Sequence, residues 1–277
     1  MTDLEHKVQA HYARLGLLQA ILDGAHAAGA DLDALTPETL APVDEFHTAG
    51  RTSTLEALRM MSIEPGMHLL DAGCGIGGTS RCLASERGCR VTGLDLTPEY
   101  VETARQLTTR MGLDDRCSFE RGSVLQMPFA NATFDGAVSF HVAMNIEQRA
   151  GFYAELARVL RPDAELCIFD VMKGPGPGMR YPVPWAESAQ TSFLRTREET
   201  AALLDQAGFA LHAEQDLRAF AIEFFARLRD KAAAASAPPP LGLHLLTGAN
   251  SAEKFANYSA ALQDHQIEPV IMVARRV

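Results

Sequence analysis

With 277 residues, 47% of them hydrophobic and 22% charged, the chain has the make-up of a globular protein with one core domain and insertions. A formal net charge of -10 and the lack of a Lys/Arg cluster weigh against nucleic acid as a partner, because phosphate binding needs a basic stripe. Five scattered cysteines (Cys74, Cys82, Cys89, Cys117 and Cys167) show no C-x-x-C spacing and no accompanying His cluster. Neither a metal site nor a disulfide framework is expected, and reduced thiols fit a cytoplasmic protein. The N-terminus carries charges throughout and no apolar run is long enough to span a bilayer, so neither a signal peptide nor a membrane partner is expected.

In chain order, Leu4, Val8, Tyr12, Leu15, Leu18, Ile21 and Leu22 recur at helical spacing, which predicts an amphipathic helix over about 4–27. Pro37 and Pro42 break the next segment, and a second helix is expected over 54–61. From Met67 the pattern changes. Apolar runs at 68–71, 90–95, 134–139 and 165–170 read as strands, with helices at 78–87, 98–111 and 147–160 between them. That succession implies a parallel sheet covered by helices on both faces. The Gly/Pro-rich stretch 173–185 reads as a loop, 196–208 as a helix, and 211–217 and 269–277 as the last strands. Between those strands lies a helical insert. Its low-complexity stretch 232–240 buries little apolar surface and is expected to be a mobile link. The division expected is a helical cap over 1–62, a nucleotide-binding core over 63–217 with a lid loop at 173–195, an insert over 218–267 and a final core strand over 268–277.

The residues Leu70-Asp71-Ala72-Gly73-Cys74-Gly75-Ile76-Gly77-Gly78 fall where a strand turns into a helix. Glycines there permit a tight turn and close approach of a ligand to free helix N–H groups. Gly73, Gly75 and Gly78 also satisfy the dinucleotide fingerprint G-x-G-x-x-G, so the loop alone leaves two cofactors open. Asp95 lies about 20 residues beyond Gly75, the spacing of a carboxylate that holds ribose hydroxyls, and suits either. Asp71 separates them. A carboxylate there repels a pyrophosphate and suits a ligand carrying an ammonium and a sulfonium; its plainer role is to hydrogen-bond the loop.

The strings DAGCGIGG, VTGLDLTPEYVETAR, GSVLQMPFANATFDGAVS and FYAELARVLRPDAELCIFDV together resemble the successive motifs of class I S-adenosylmethionine-dependent methyltransferases over about 67–171. The resemblance implies an α/β, Rossmann-like fold: a seven-stranded, mostly parallel sheet whose last strand is antiparallel, with N-terminal helices and a helical insert before that strand. It implies S-adenosyl-L-methionine as cofactor. Asp71, Gly73, Gly75 and Gly77 would surround its methionine part, Asp95 its ribose, and Leu96 would flank the adenine. Ser123 and Val124 stand at the adenine edge. Serine replaces the acid that the family usually places there, which leaves backbone groups to serve the adenine amine. Phe140 and His141 follow the fourth strand, where the activated methyl group points.

On the acceptor side the sequence guides less, because in-line transfer from a sulfonium depends mostly on positioning. His141 is the candidate base, or a ring that shapes the pocket. Asn145 either orients a polar acceptor or caps the helix after it. In the loop 44–51, His47 is a candidate to face the acceptor and Arg51 to bind the methionine carboxylate; a surface histidine and a salt-bridged arginine are the plainer readings. Tyr181, Trp185 and Phe193 supply an aromatic lid or ordinary packing. The arrangement most resembles sarcosine/dimethylglycine and phosphobase N-methyltransferases and related natural-product enzymes. A small-molecule acceptor is expected, with N-transfer ahead of O- or C-transfer. A nicotinamide-dependent oxidoreductase and a cofactor-binding protein without transfer are the alternatives. The N-terminal helices and the insert offer surfaces for a homo-oligomer.

Overall fold

The computed structural model describes residues 2–235 and 237–277. Four helices precede the first strand: α1 (Asp3–Tyr12), α2 (Leu17–Ala27), α3 (Pro37–Asp44) and α4 (Arg51–Arg59). The single helix expected over 4–27 is therefore two. A capping box between Thr2 and Glu5 starts α1. Ala13 then leaves helical geometry and Gly16 adopts a φ of 71°, a left-handed conformation that glycine takes without strain, so α2 starts on a new axis. Leu15, read as part of the apolar stripe, lies in that break and is 96% exposed. Pro37 opens α3, where its missing N–H costs nothing, and Thr36 caps the helix.

The alternating region supplies β1 (His68–Ala72), α5 (Gly78–Arg87), β2 (Arg90–Asp95), α6 (Pro98–Arg110), β3 (Cys117–Arg121), β4 (Phe134–Phe140), α7 (Arg149–Val159) and β5 (Leu160–Lys173). There follow α8 (Arg197–Gln206), β6 (Phe209–Asp216), α9 (Arg218–Ala234), α10 (His244–Thr247), α11 (Ser251–Gln263) and β7 (Ile267–Arg276). The strands form one sheet in the order β3-β2-β1-β4-β5-β7-β6. Strand β7 runs antiparallel to β5 and β6, and the other pairs are parallel. This is the α/β, Rossmann-like fold that the motifs imply, with its helical preface and its helical insert before the last strand.

Strand β3 has no apolar run. It is an edge strand in which only Cys117 and Phe119 are buried, so hydrophobic patterning does not reveal it. Of the low-complexity stretch 232–240, Ala232 to Ala234 complete α9, and Ser236 lies outside the described residues.

Successive residues of the central strands point to opposite faces. Leu70, Ala137, Ile168 and Met272 pack with Phe152, Tyr153 and Leu156 of α7 on one side. Leu69, Val138, Phe169 and Ile271 pack with Leu58 of α4 and Cys82 and Leu83 of α5 on the other. A third cluster joins the N-terminal helices to Ile76, Tyr100 and Leu107, so the helical preface sits over the carboxyl end of the sheet.

Candidate active site

The strand order reverses at β1, which has β2 on one side and β4 on the other. In open α/β sheets the crevice at such a switch point is where ligands bind. A cavity of about 480 Å³ lies there, lined from the glycine loop, the ends of β2 to β4, the N-terminal helices and the loop after β5. That volume is in the ordinary range for a small-ligand site.

The glycine loop forms the floor. Gly73, Gly75 and Gly77 have φ values of 85°, 55° and 85°. Gly75 faces the cavity with almost nothing near it, and its N–H donates to Asp95 Oδ2 at 2.9 Å. A Cβ on Gly78 would meet the Asp44 carbonyl oxygen at 2.2 Å, so this glycine lets α3 close down on the start of α5. Below that contact, Arg81 is fully buried against Asp44 (2.7 Å) and the Ile76 carbonyl (2.8 Å), which ties the helical preface to the loop. Burial raises the Asp44 carboxyl to about 6, against the pull of Arg81.

Asp71, Gly73, Gly75, Asp95, Leu96, Ser123, Val124, Phe140, His141, His47 and Asn145 all line the one cavity. Asp71 accepts from the Ser80 hydroxyl at 2.6 Å, and burial pushes its carboxyl up to about 7. Asp95 also accepts from the Thr97 N–H at 2.8 Å. The Ser123 hydroxyl donates to Glu5 of α1.

At the other end, His141 follows β4 with a φ of 55°, and its N–H donates to the Phe169 carbonyl at 2.7 Å. The next two backbone N–H groups donate to Asp170 at 3.0 and 3.2 Å, which holds the loop in place. Burial, with the neighbouring His47, holds the His141 imidazole well below the ordinary histidine value, so the ring is neutral at physiological pH. The Thr48 N–H and hydroxyl lie 3.4 Å from its Nε2, and that hydroxyl also bonds Tyr258. His47 stands 5.9 Å from His141, centroid to centroid, on a buried Glu45 whose Oε2 is 2.9 Å from its Nε2. Burial pushes the Glu45 carboxyl up, but the bond to His47 and the Thr54 hydroxyl outweigh it and leave Glu45 below the usual range.

Three candidates stand as follows. Arg51 does not line the cavity: it bridges Glu38 (2.5 Å) and Glu86 (2.7 Å), acids that compete for its charge. Gly77 is also outside the lining, because its left-handed backbone packs against Phe119 and Arg81, where a Cβ would sit 2.8 Å from each. Asn145 does not cap the following helix, which starts at Arg149 with no side-chain cap. Its amide instead donates to the carbonyls of Trp185 (2.9 Å) and Thr191 (2.8 Å). Among the lid aromatics, Trp185 lines the cavity at 2% exposure, whereas Tyr181 and Phe193 do not line it.

Sequence reasoning missed Glu5, Tyr12 as a site residue, Glu45 and Thr48. Tyr12 lies on the apolar stripe of its helix and reads as core. Glu45 meets Thr54 and His47 through the turn into α4, a separation with no periodic signature. Among the described residues, the cavity lining holds Asp3, Glu5, Asp44, Asp71, Asp95 and Glu147 and neither lysine nor arginine. Such a lining attracts a cation and repels a pyrophosphate.

A fold of this topology with an acid-lined glycine loop defines a binder of a cationic nucleoside-type ligand. The comparisons place it further. A methyltransferase-domain family model matches residues 70–168. An O-methyltransferase of Pyrenophora dematioidea is 30% identical over 178 residues, 64% of this chain and 67% of that protein. A 24-methylenesterol C-methyltransferase 2 of Oryza sativa subsp. japonica is 32% identical over 164 residues, 57% of this chain and 45% of that protein. The chain thus spans two thirds of the first relative and under half of the second. A geranyl diphosphate methyltransferase, solved in complex with GPP and sinefungin, superposes with a TM-score of 0.71 at 19% identity, over 100% of both chains. The chain belongs to the S-adenosylmethionine-dependent methyltransferase family.

Proposed function

We propose that this chain transfers a methyl group from S-adenosylmethionine to an uncharged small molecule, at oxygen or carbon. The observation that carries the reading is the charge of the cavity: carboxylates around the glycine loop, and no lysine or arginine anywhere in its described lining. When bound, S-adenosylmethionine supplies a methyl group on a positively charged sulfur. Asp71 and Asp95 suit its cationic and ribose groups. The same charge argues against a nicotinamide dinucleotide, whose pyrophosphate would meet Asp71.

The acceptor end, around Phe46, Phe140, His141, Met144, Trp185 and Leu246, is aromatic and apolar. It offers no cation for a phosphate or carboxylate. The acid that lines this end, Glu147, is exposed. The buried acids behind it are already engaged, Glu45 by His47 and Thr54 and Asp170 by the Val142 and Ala143 N–H groups, so no carboxylate lining this end is free to gather a charged amine. This favours oxygen or carbon over the N-transfer anticipated from the resemblance, and the names of the two relatives point the same way. The protein's share of the rate is positioning and exclusion of water, which in well-oriented cases amounts to ~7–11 kcal/mol. His141 is the candidate base. Its neutral ring presents Nε2 to Thr48 at a long 3.4 Å, so an incoming hydroxyl competes for that lone pair and hands its proton there.

Calorimetric titration tests the cofactor half of this reading. S-adenosylhomocysteine is expected to bind and nicotinamide dinucleotides are not. Binding of the dinucleotide alone would overturn it.

A further inference from the structure

Helix α1 forms one wall of the cavity although none of its residues is fully buried. It is held by three polar contacts at different points: Glu5 with Ser123, Tyr12 with Asn145 (2.9 Å) and His11 Nε2 with the Pro184 carbonyl (3.1 Å). Its cavity face consists of Asp3, Leu4, Glu5, Val8 and Tyr12; of the two acids, Asp3 is exposed and paired with Lys7 at 2.9 Å, whereas Glu5 reaches across to the core. The carboxylate is anchored: Oε2 accepts from the Thr2 N–H at 2.6 Å and Oε1 from the Ser123 hydroxyl. Although partial burial acts to raise it, those bonds hold this carboxyl below the usual range, so it is ionised at neutral pH.

The place where Glu5 sits matters. Ser123 follows β3, the strand next outward from β2, and the Gly122 N–H donates to the Asp95 carbonyl at 2.9 Å. For a nucleoside whose ribose is held by Asp95, the resemblance sets the base edge at Ser123 and Val124, and Gly122, Ser123 and Glu5 line the same cavity there. The Ser123 hydrogen is directed at Glu5, so the carboxylate of Glu5 is the strong acceptor available at that edge. Adenine presents one donor group there, its exocyclic amine.

We propose that Glu5 is a cofactor-binding residue, its carboxylate accepting the adenine amino group, so that an element outside the Rossmann-like core reads the base and docking of α1 is coupled to cofactor binding. This rests on the S-adenosylmethionine reading above. It assigns to the N-terminal helix the carboxylate contact that Ser123, having no acid of its own, does not supply.

The test compares two ligands by calorimetry: S-adenosylhomocysteine and its deaminated inosine analogue, in which a carbonyl oxygen replaces the amine. The unaltered protein is expected to prefer the adenosine ligand by roughly tenfold or more, since a hydrogen bond to a charged group is involved. Glu5→Ala is expected to lose most of that preference while binding the inosine analogue at least as well as before. An unchanged preference, or equal weakening of both ligands, would overturn the proposal and leave Glu5 as a helix anchor. If the unaltered protein binds neither ligand, the cofactor reading falls and this inference falls with it; binding with an unchanged preference sinks only the inference.

Discussion

The hydroxyl of Tyr12 on α1 donates to Asn145 Oδ1 at 2.9 Å, while the Asn145 amide holds the Trp185 and Thr191 carbonyls of the loop after β5. One buried side chain thus joins two elements that line the cavity and that also meet directly where His11 Nε2 lies 3.1 Å from the Pro184 carbonyl. Asn145→Ala leaves a phenol and two carbonyls without these partners, each worth about 1–3 kcal/mol when buried. The expected outcome is a loss of about 2 kcal/mol or more in denaturant unfolding, together with a raised KM for the acceptor. A variant of unchanged stability and KM would show that the cover does not depend on this junction.

Asp71 makes cofactor binding pH-dependent. Burial raises its carboxyl to about 7 in the ligand-free protein, against an ordinary value of 3.8. Its folded value lies above its unfolded one, so its contribution to stability is complete below about 4 and is lost as pH rises through 7. A cationic ligand reverses the preference by favouring the ionised form. Affinity for S-adenosylmethionine is therefore expected to fall as pH drops from 8 to 6, with proton release on binding near pH 6. Titrations in buffers of different ionisation enthalpy measure that release, and a heat independent of buffer would contradict it.

The pair Asp44–Arg81 carries the contact between the helical preface and the glycine loop. Removing one partner of a buried ion pair costs about 3–5 kcal/mol, because the other charge stays buried. Arg81→Met is expected to lose that much at pH 8. It should lose less at pH 5, below the value of about 6 to which burial raises Asp44, where the carboxyl is protonated. Urea unfolding at the two pH values checks it; equal losses would show that Asp44 is not the group left stranded.

His141→Ala is expected to lower kcat by about 10²–10⁴-fold for a hydroxyl acceptor, with little change in the Kd for S-adenosylhomocysteine. Burial holds its imidazole well below the usual histidine value, so the acid limb of kcat against pH is expected below 6.5. A limb near ordinary histidine titration would point to another base.

Much of the core was legible in sequence because its signals are local. The string from Asp71 to Gly78 announces a strand-to-helix turn, and Asp95 follows at a spacing set by one βαβ unit. Strand β3 was not legible, because an edge strand needs few apolar residues. The cover of the cavity was less legible still. Arg51 reads either as a ligand for a carboxylate or as a salt-bridged arginine, and only the fold, which brings Glu38 and Glu86 to it from two helices, shows the second. Asn145 reads either as an orienting group for a polar acceptor or as a helix cap, and the partners its amide holds are 40 and 46 residues away. Glu5 and Ser123 meet across 118 residues, a juxtaposition that no pattern in either segment foreshadows.

The measurement that tests the central claim most directly is transfer from methyl-deuterated S-adenosylmethionine, read by mass spectrometry across three acceptor pools. The first holds uncharged phenols, alcohols and enols, the second phosphorylated compounds, and the third amines. A labelled product confined to the first pool is the predicted result, and it should be lost in His141→Ala when the acceptor is a hydroxyl. Label in the phosphorylated pool would contradict the reading of a cavity without lysine or arginine in its described lining, and label only in amines would restore N-transfer.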